Sequence, residues 1–362
     1  MNKISLKSFL STFFLSTVTT VQVINLYPNS QVNLWFSALI GAAASLPIVL
    51  LYGAISVLCP NEGLFGAAES VFGKAIGKFL SLIYVIYAVL TVAVTLRYLT
   101  EFIQVVSLHR TPQWLMLLLF GAICGYVASK GNWITARLSE FILPVTVGIF
   151  IFVLVCSWDF YDRSNIIPGL DESIKTFTES AFSIASFSFC EAVFFLELLK
   201  DSDAPPKKTY FTLVSGIVLS ALYTSLLLLS DRLILGNSGS ILYFPHYEAV
   251  SVINIGDFIT HIEVISIISF LLCVIIKNSV SLFASTEGMK KLFPEPQRKL
   301  FTFITTAAAT IIGLFIFDST ADIYSFHRIN GYLVVIFQVL IPFALFIGAL
   351  IKNFINKKIP EK

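Results

Sequence analysis

Charge is what this chain lacks most. Asp, Glu, Lys and Arg make up 13% of its 362 residues, against about 25% in a typical soluble domain. Hydrophobic side chains make up 56%, with 34 Phe among them, so the composition predicts an integral membrane protein and excludes a soluble domain, a coiled coil or a low-complexity tail. The formal net charge is only +2, and without a basic excess no nucleic-acid partner is expected. Cysteine is scarce too: the five, at 59, 124, 156, 190 and 273, form no CxxC pair and mostly sit in apolar runs as small core hydrophobes. Four histidines, at 109, 246, 261 and 327, show no paired metal spacing. With no Gly-x-Ser-x-Gly, HExxH or phosphate loop, the residues predict no enzyme, no cofactor and no metal site. A cleavable signal peptide is not expected either, because the first apolar run lacks a small-residue cleavage site and continues to membrane length.

What the chain has is a series of apolar runs of about 20 residues, the length that crosses roughly 30 Å of hydrocarbon at 1.5 Å per residue. Ten emerge, at 6–26, 34–58, 79–106, 113–129, 139–157, 179–199, 210–232, 260–287, 300–317 and 331–352. If the amino terminus is cytoplasmic, alternate connections should collect Lys and Arg. They do: 17 fall on the cytoplasmic side and 5 on the other, with Arg97 and Lys277 left inside spans. The tally predicts both termini in the cytoplasm. The longest external connections, 158–178 and 233–259, carry turn residues and are expected to hold short interfacial helices.

Ten spans in a single polytopic domain divide into halves at about 6–157 and 179–352. Because five is odd, a duplicated half must cross the membrane in the opposite sense, giving an all-α 5+5 inverted repeat of the amino-acid-permease type. Equivalent spans look alike. The third and eighth are long and free of Gly and Pro, while the first and sixth concentrate polar side chains: Thr17, Thr20 and Gln22 among others in the first, and Ser183, Ser186, Ser188 and Glu191 in the sixth. In such folds these two helices are typically discontinuous and hold a small ligand near the midplane. Hydroxyls at these positions also suit plain helix packing, and that alternative stays open.

Glu191 is the focus. It lies halfway along Phe182–Leu199, where an acid at a helix centre costs from about 2.5 kcal/mol upward, so an intramembrane carboxylate points to function. The competing reading is a protonated or hydrogen-bonded Glu that simply joins helices. Lys277 lies about ten residues, or roughly 15 Å, from the nearer surface, long for a snorkelling side chain. A lysine facing Glu191 would relieve the burial cost of both. Arg97 and Glu101, four residues apart near the end of the third span, can pair on one helix face.

The residues resemble the spore germination permease family, the B-type membrane subunits of nutrient germinant receptors, within the amino acid, polyamine and organocation transporters. The resemblance runs from about residue 4 to 352. It rests on Ile4-Ser5, Arg97–Phe102 (RYLTEF), Lys130-Gly131 with Ala136–Glu140 and Leu143-Pro144, Ser186–Leu199, and Phe244-Pro245 leading to Gly256-Asp257-Phe258 and Glu263. Two departures matter: the family's Phe-Pro-Phe-Gly-Glu is here Phe187-Ser188-Phe189-Cys190-Glu191, and the first span has no Gly or Pro before Pro28, so the helix breakers are absent and Ser and Cys do not force a break as Pro does.

The resemblance implies a receptor subunit in the endospore inner membrane. It would bind a small nutrient germinant, such as an amino acid, and signal to an A-type subunit and a C-type lipoprotein. It also places the Arg97–Glu101 pair in the wall of a ligand chamber, with a helix-end salt bridge as the competing role. In several transporters of the broader superfamily a basic side chain replaces a coupling cation, a role open to Lys277. Asp257 and Glu263 read as a cap and an external lid. The candidate ligand site is therefore Thr17, Thr20, Gln22, Tyr98, Glu101, Ser183, Ser186, Ser188, Glu191 and Lys277. A proton-coupled secondary amino acid transporter is the other function class.

Overall fold

The structure, a computed structural model, describes residues 3–22, 33–166, 173–202, 205–253, 261–295 and 297–358. The expected Asp257 cap lies outside them. All regular structure among the described residues is helical, and nine helical stretches are long and apolar enough to cross a membrane. The first expected span is represented by α1 (Leu6–Val18), too short to cross alone, and a 3-10 turn at Thr20–Gln22. Ser5 starts α1 as the helix rules require: its hydroxyl accepts the Ser8 N–H at 3.0 Å.

After α2 (Leu34–Leu58) comes a short helix, α3 (Gly63–Phe72), that hydropathy alone does not reveal. Then follow α4 (Lys74–Val106), α5 (Gln113–Lys130) and α6 (Asn132–Cys156). The first long connection holds 3-10 turns at Trp158–Phe160 and Arg163–Ile166. The sixth span is α7 (Ile174–Ile184), a π-helical turn at Ala185–Phe189, a 3-10 turn at Val193–Phe195 and α8 (Leu196–Leu199). Then come α9 (Pro206–Leu235), the short α10 (Pro245–Ser251), α11 (Glu263–Leu292) and α12 (Arg298–Phe315). The last span is α13 (Thr320–Val334) and α14 (Ile341–Lys358), joined by a π-helical segment at Val335–Leu340.

Counterparts in the two halves pack on one another: α4 against α11, α2 against α9, and α5 against α12. This is the pairing a pseudo-two-fold axis in the membrane plane produces. The short helices α3 and α10 also occupy matching places, after the second and seventh spans. Two kinds of close approach hold the bundle. A Cβ added to Gly121 or Gly125 of α5 would lie 2.5 or 2.6 Å from the hydroxyls of Thr310 or Thr306 on α12, a small-xxx-small contact. At Gly41 of α2 a Cβ would lie 2.7 Å from the Ala181 carbonyl oxygen, so α2 packs directly on the backbone of α7.

One end of the bundle is locked by polar contacts. Ser5 and Ser8 hydroxyls donate to the Glu140 carboxylate, Thr12 Oγ1 donates to Ser139 Oγ at 3.0 Å, and Ile4 N–H donates to the Asp201 carbonyl at 3.1 Å. The motifs Ile4-Ser5 and Ser139-Glu140, far apart in sequence, therefore meet between α1 and α6. Beside them Lys200 Nζ lies 2.5 Å from Glu197 Oε2 and 3.0 Å from Glu287 Oε2, and Lys290 and Arg298 also pair with Glu287. Burial by itself would lower the Lys200 pKa, but Glu197 and Glu287 outweigh it and hold the ammonium above the ordinary lysine range.

Candidate ligand site at a broken helix

Glu191 sits where the sixth span stops being a helix. The break needs no Pro or Gly because a distant side chain takes over its hydrogen bonds. Gln338 Oε1 accepts the N–H groups of Ala192 at 3.2 Å and Val193 at 2.9 Å. Its Nε2 donates to Tyr87 Oη at 3.2 Å, and Tyr52 Oη donates to the Gln338 carbonyl at 2.5 Å. Gln338 is fully buried, and it lies in the π-helical segment before α14. Without water, each N–H left unpaired by the break would cost several kcal/mol, so the amide of Gln338 is what makes this geometry tenable. The departure from Pro and Gly noted in the sequence does not prevent the interruption.

With the helix open, the Glu191 carboxylate turns to α11. Lys277 Nζ lies 2.6 Å from Glu191 Oε2, and both side chains are at least 90% buried. The same ammonium donates to Thr20 Oγ1 at 3.0 Å, and Thr20 Oγ1 donates to the Phe187 carbonyl at 3.3 Å. One cation thus joins three elements: α11, the 3-10 turn after α1, and the break in the sixth span. Each charge compensates the desolvation of the other. The snorkelling alternative for Lys277 is not what its side chain adopts.

The ion pair borders a cavity of about 20 Å³, room for roughly one water. Thr19 and Thr20 line it from the end of α1, and Phe187 from the π-turn. α4 contributes a stripe, Tyr87, Thr91, Thr95 and Tyr98, at three- and four-residue spacing on one helix face. Phe270 of α11, with Phe326 and Asn330 of α13, completes the wall. A second void of about 10 Å³ also touches the pair and Thr91, beside Ser16, Phe194 and Ser281. Glu191 and Lys277 therefore line both small hollows.

Of the ten residues expected at the site, the structure brings Thr20, Tyr98, Glu191 and Lys277 to the cavity. The others lie elsewhere. Thr17 turns to α9, its hydroxyl 2.6 Å from Ser220 Oγ and bonded to the Phe13 and Phe14 carbonyls. Gln22 Nε2 contacts Cys273 Sγ at 3.7 Å. Glu101 pairs with Arg97 at 3.4 Å and accepts from Gln113 Nε2 at 3.0 Å, the helix-end arrangement rather than a chamber wall. Ser183, Ser186 and Ser188 do not line the cavity; Ser186 and Ser188 are buried and Ser183 half-buried. Alternate hydroxyls along a broken helix cannot all face one hollow. Glu263, read as a lid residue, accepts at 2.9 Å from His261 beside it. Of the α4 stripe only Tyr98 was expected; Tyr87, Thr91 and Thr95 were missed, although their signal is in the sequence as hydroxyl side chains at helical spacing from Tyr98.

Comparison with known proteins follows the same lines. A family model described as spore germination protein matches residues 4–323. Spore germination protein KB of Bacillus subtilis is 24% identical over 333 residues, covering 88% of this chain and 87% of that protein. Spore germination protein B2 of the same organism is 29% identical over 200 residues, 54% of this chain and 52% of that one. Among solved structures, the nucleobase-cation-symport-1 family transporter MHP1, in a closed conformation with bromovinylhydantoin bound, superposes with a TM-score of 0.65. It shares 14% identity, covering 93% of this chain and 78% of that one. A Na+-coupled sialic acid symporter in a substrate-bound outward-open state gives 0.68 at 11% identity, with 93% and 79% covered. At such identities these two establish the fold.

Proposed function

The chain belongs to the spore germination protein family, and from that premise we propose that it is the ligand-binding, transporter-like subunit of a spore nutrient germinant receptor. It binds a small germinant, an amino acid, in the cavity beside Glu191 and Lys277. Binding then shifts the conformation seen by A-type and C-type partner subunits in the endospore inner membrane, with both termini on the core side. The observation that carries this reading is the 2.6 Å ion pair at the break of the sixth span, facing a cavity walled by hydroxyls and aromatic rings.

The chemistry suits a zwitterion. Glu191 can accept the ligand ammonium and Lys277 its carboxylate, each exchanging one charged partner for another without leaving a buried charge unpaired. The α4 hydroxyls and Asn330 offer hydrogen bonds, and Tyr98, Phe187 and Phe270 offer apolar contact. A cavity of about 20 Å³ is smaller than any amino acid, so the helices here are in a contracted state and must separate around the pair to admit the ligand. That gives the ligand a differential affinity for two states, without which it could shift no equilibrium.

A proton-coupled secondary amino acid transporter is the second reading, favoured by the shared fold of the two solved transporters. Both readings share the binding step and differ in what the second state does. The test is radiolabelled amino acid uptake by purified protein in liposomes, set beside the germinant response of spores carrying Glu191→Gln. Loss of spore response without uptake by the wild type supports the receptor. Accumulation driven by a proton gradient supports the transporter. A wild-type response from Glu191→Gln spores removes this site from either account.

A further inference from the structure

The α4 face that lines the cavity does not end at Tyr98. One turn further toward Val106, on the same face, comes Phe102, which is buried. Its ring meets that of Phe270, a residue of the cavity wall, edge to face at 5.6 Å. The same ring meets Phe244 at 5.0 Å and Tyr247 at 6.0 Å, again edge to face. Phe244 is the N-cap of α10 and Tyr247 lies in its first turn. A continuous run of aromatic contacts therefore leads from the cavity wall through Phe102 to α10.

With seven residues, α10 is too short to be a stable helix by itself, so its place depends on what fastens it. Part of the seat is apolar: Val250 packs with Val153, Ile253 and Ile262. The polar part is His246. Its Nδ1 lies 2.8 Å from Asp231 Oδ1 on α9, and its Nε2 lies 3.1 Å from Ser266 Oγ on α11. One imidazole thus ties α10 to two long helices at once, with His246 and Asp231 each only 8% exposed. A hydroxyl can donate to a neutral imidazole or accept from an imidazolium, so both contacts persist in either state of the ring. The charges nearby are engaged elsewhere: Arg232 donates to the Asn165 carbonyl at 2.8 Å and to Asn237 Oδ1 at 3.0 Å, and Glu263 is paired with His261.

We propose that His246 is the catch of a lid. With Phe244 and Tyr247 seated on Phe102, α10 stoppers the aromatic end of the cavity, and the release of the two His246 contacts sets how often a solute reaches Glu191 and Lys277. Lids of this kind govern rates by gating access. The proposal rests on the reading of this cavity as the germinant site only for the identity of what enters. Access itself can be measured without any germinant, so the two readings fail separately.

The test is the rate at which the quaternary ammonium methanethiosulfonate MTSET modifies a thiol placed in the cavity wall by Thr95→Cys, read site by site by peptide mass spectrometry on the full-length protein in nanodiscs. A cavity of about 20 Å³ has no room for the reagent, so modification reports opening. In that background His246→Ala should raise the rate roughly tenfold, the loss of a charge-assisted contact. Ser266→Ala, which removes only the neutral contact, should raise it about threefold, and it decides alone should His246→Ala fail to fold. Cys124, fully buried in a separate apolar cluster, is the internal control and should keep its parental rate throughout. A parental rate at the cavity thiol in the folded variants, or an equal acceleration at Cys124, which would mean general loosening, would each overturn the proposal.

Discussion

Gln338 Oε1 lies 2.9 Å from the backbone nitrogen of Val193, 145 residues earlier in the chain. That bond, with its partner to Ala192, turns what would be a defect in the sixth span into a stable opening. The same amide reaches Tyr87, a residue of the cavity wall, so the break and the candidate site are one structure.

Replacing Gln338 by Leu leaves Ala192 N–H its bond to the Cys190 carbonyl at 2.7 Å but takes the acceptor from the buried Val193 N–H, and should therefore destabilise the protein by about 1–3 kcal/mol. A lowered thermal midpoint in detergent, with germinant binding weakened in parallel, is the expected outcome. An unchanged midpoint would mean that the break satisfies itself in some other way.

The Glu191–Lys277 pair yields a sharper test, because removing one partner differs from removing both. Glu191→Gln or Lys277→Met alone should each cost about 3–5 kcal/mol by stranding a buried charge. The double substitution should recover much of that stability in a thermal-unfolding double-mutant cycle, while germinant response stays absent. If stability and response recover together, the pair is structural only.

Lys277 places an ammonium against Glu191 and Thr20, and under the proposed function it would take the place of a coupling metal cation. Ligand binding should accordingly be unchanged when Na+ is replaced by choline in a binding assay. A loss of binding beyond about threefold, near 0.7 kcal/mol, would count against this role.

Gly41 is packed on the backbone of α7, with 2.7 Å between a notional Cβ and the Ala181 carbonyl oxygen. Neither side can yield as a flexible side chain would. Gly41→Val should push α2 away from the broken span and cost about 1–3 kcal/mol, the usual range for overpacking. Protein level in membranes and thermal midpoint would both report it, and a neutral outcome would mean that α2 and α7 do not meet backbone to backbone.

Lys200 offers a pH prediction. Its folded-state pKa is raised by Glu197 and Glu287, so its contribution is complete below the unfolded lysine value of about 10.4. It fades only as pH rises from there through the folded value. Thermal midpoints should show no loss from this group between about pH 7 and 9, with a decline starting above about 10.4. A Lys200-dependent fall already present below pH 9 would contradict the raised pKa.

The sequence by itself determined the bilayer as solvent, since a chain with 13% charged residues and apolar runs of about 20 residues has the length and composition of membrane-crossing helices. It also determined which spans are long, and that an acid at 191 and a lysine at 277 would stand deep in the bundle. The stripe at 87, 91, 95 and 98 was legible too, because it is a local helical period. Only the tertiary structure decided which polar groups share the cavity. Thr17 and Thr20, three residues apart, face α9 and the cavity respectively, because the chain changes from α-helix to a 3-10 turn between them. The break at Glu191 was beyond sequence reading for a related reason: its cause is an amide on another helix, and no local pattern of breakers records a hydrogen bond made across the whole length of a half.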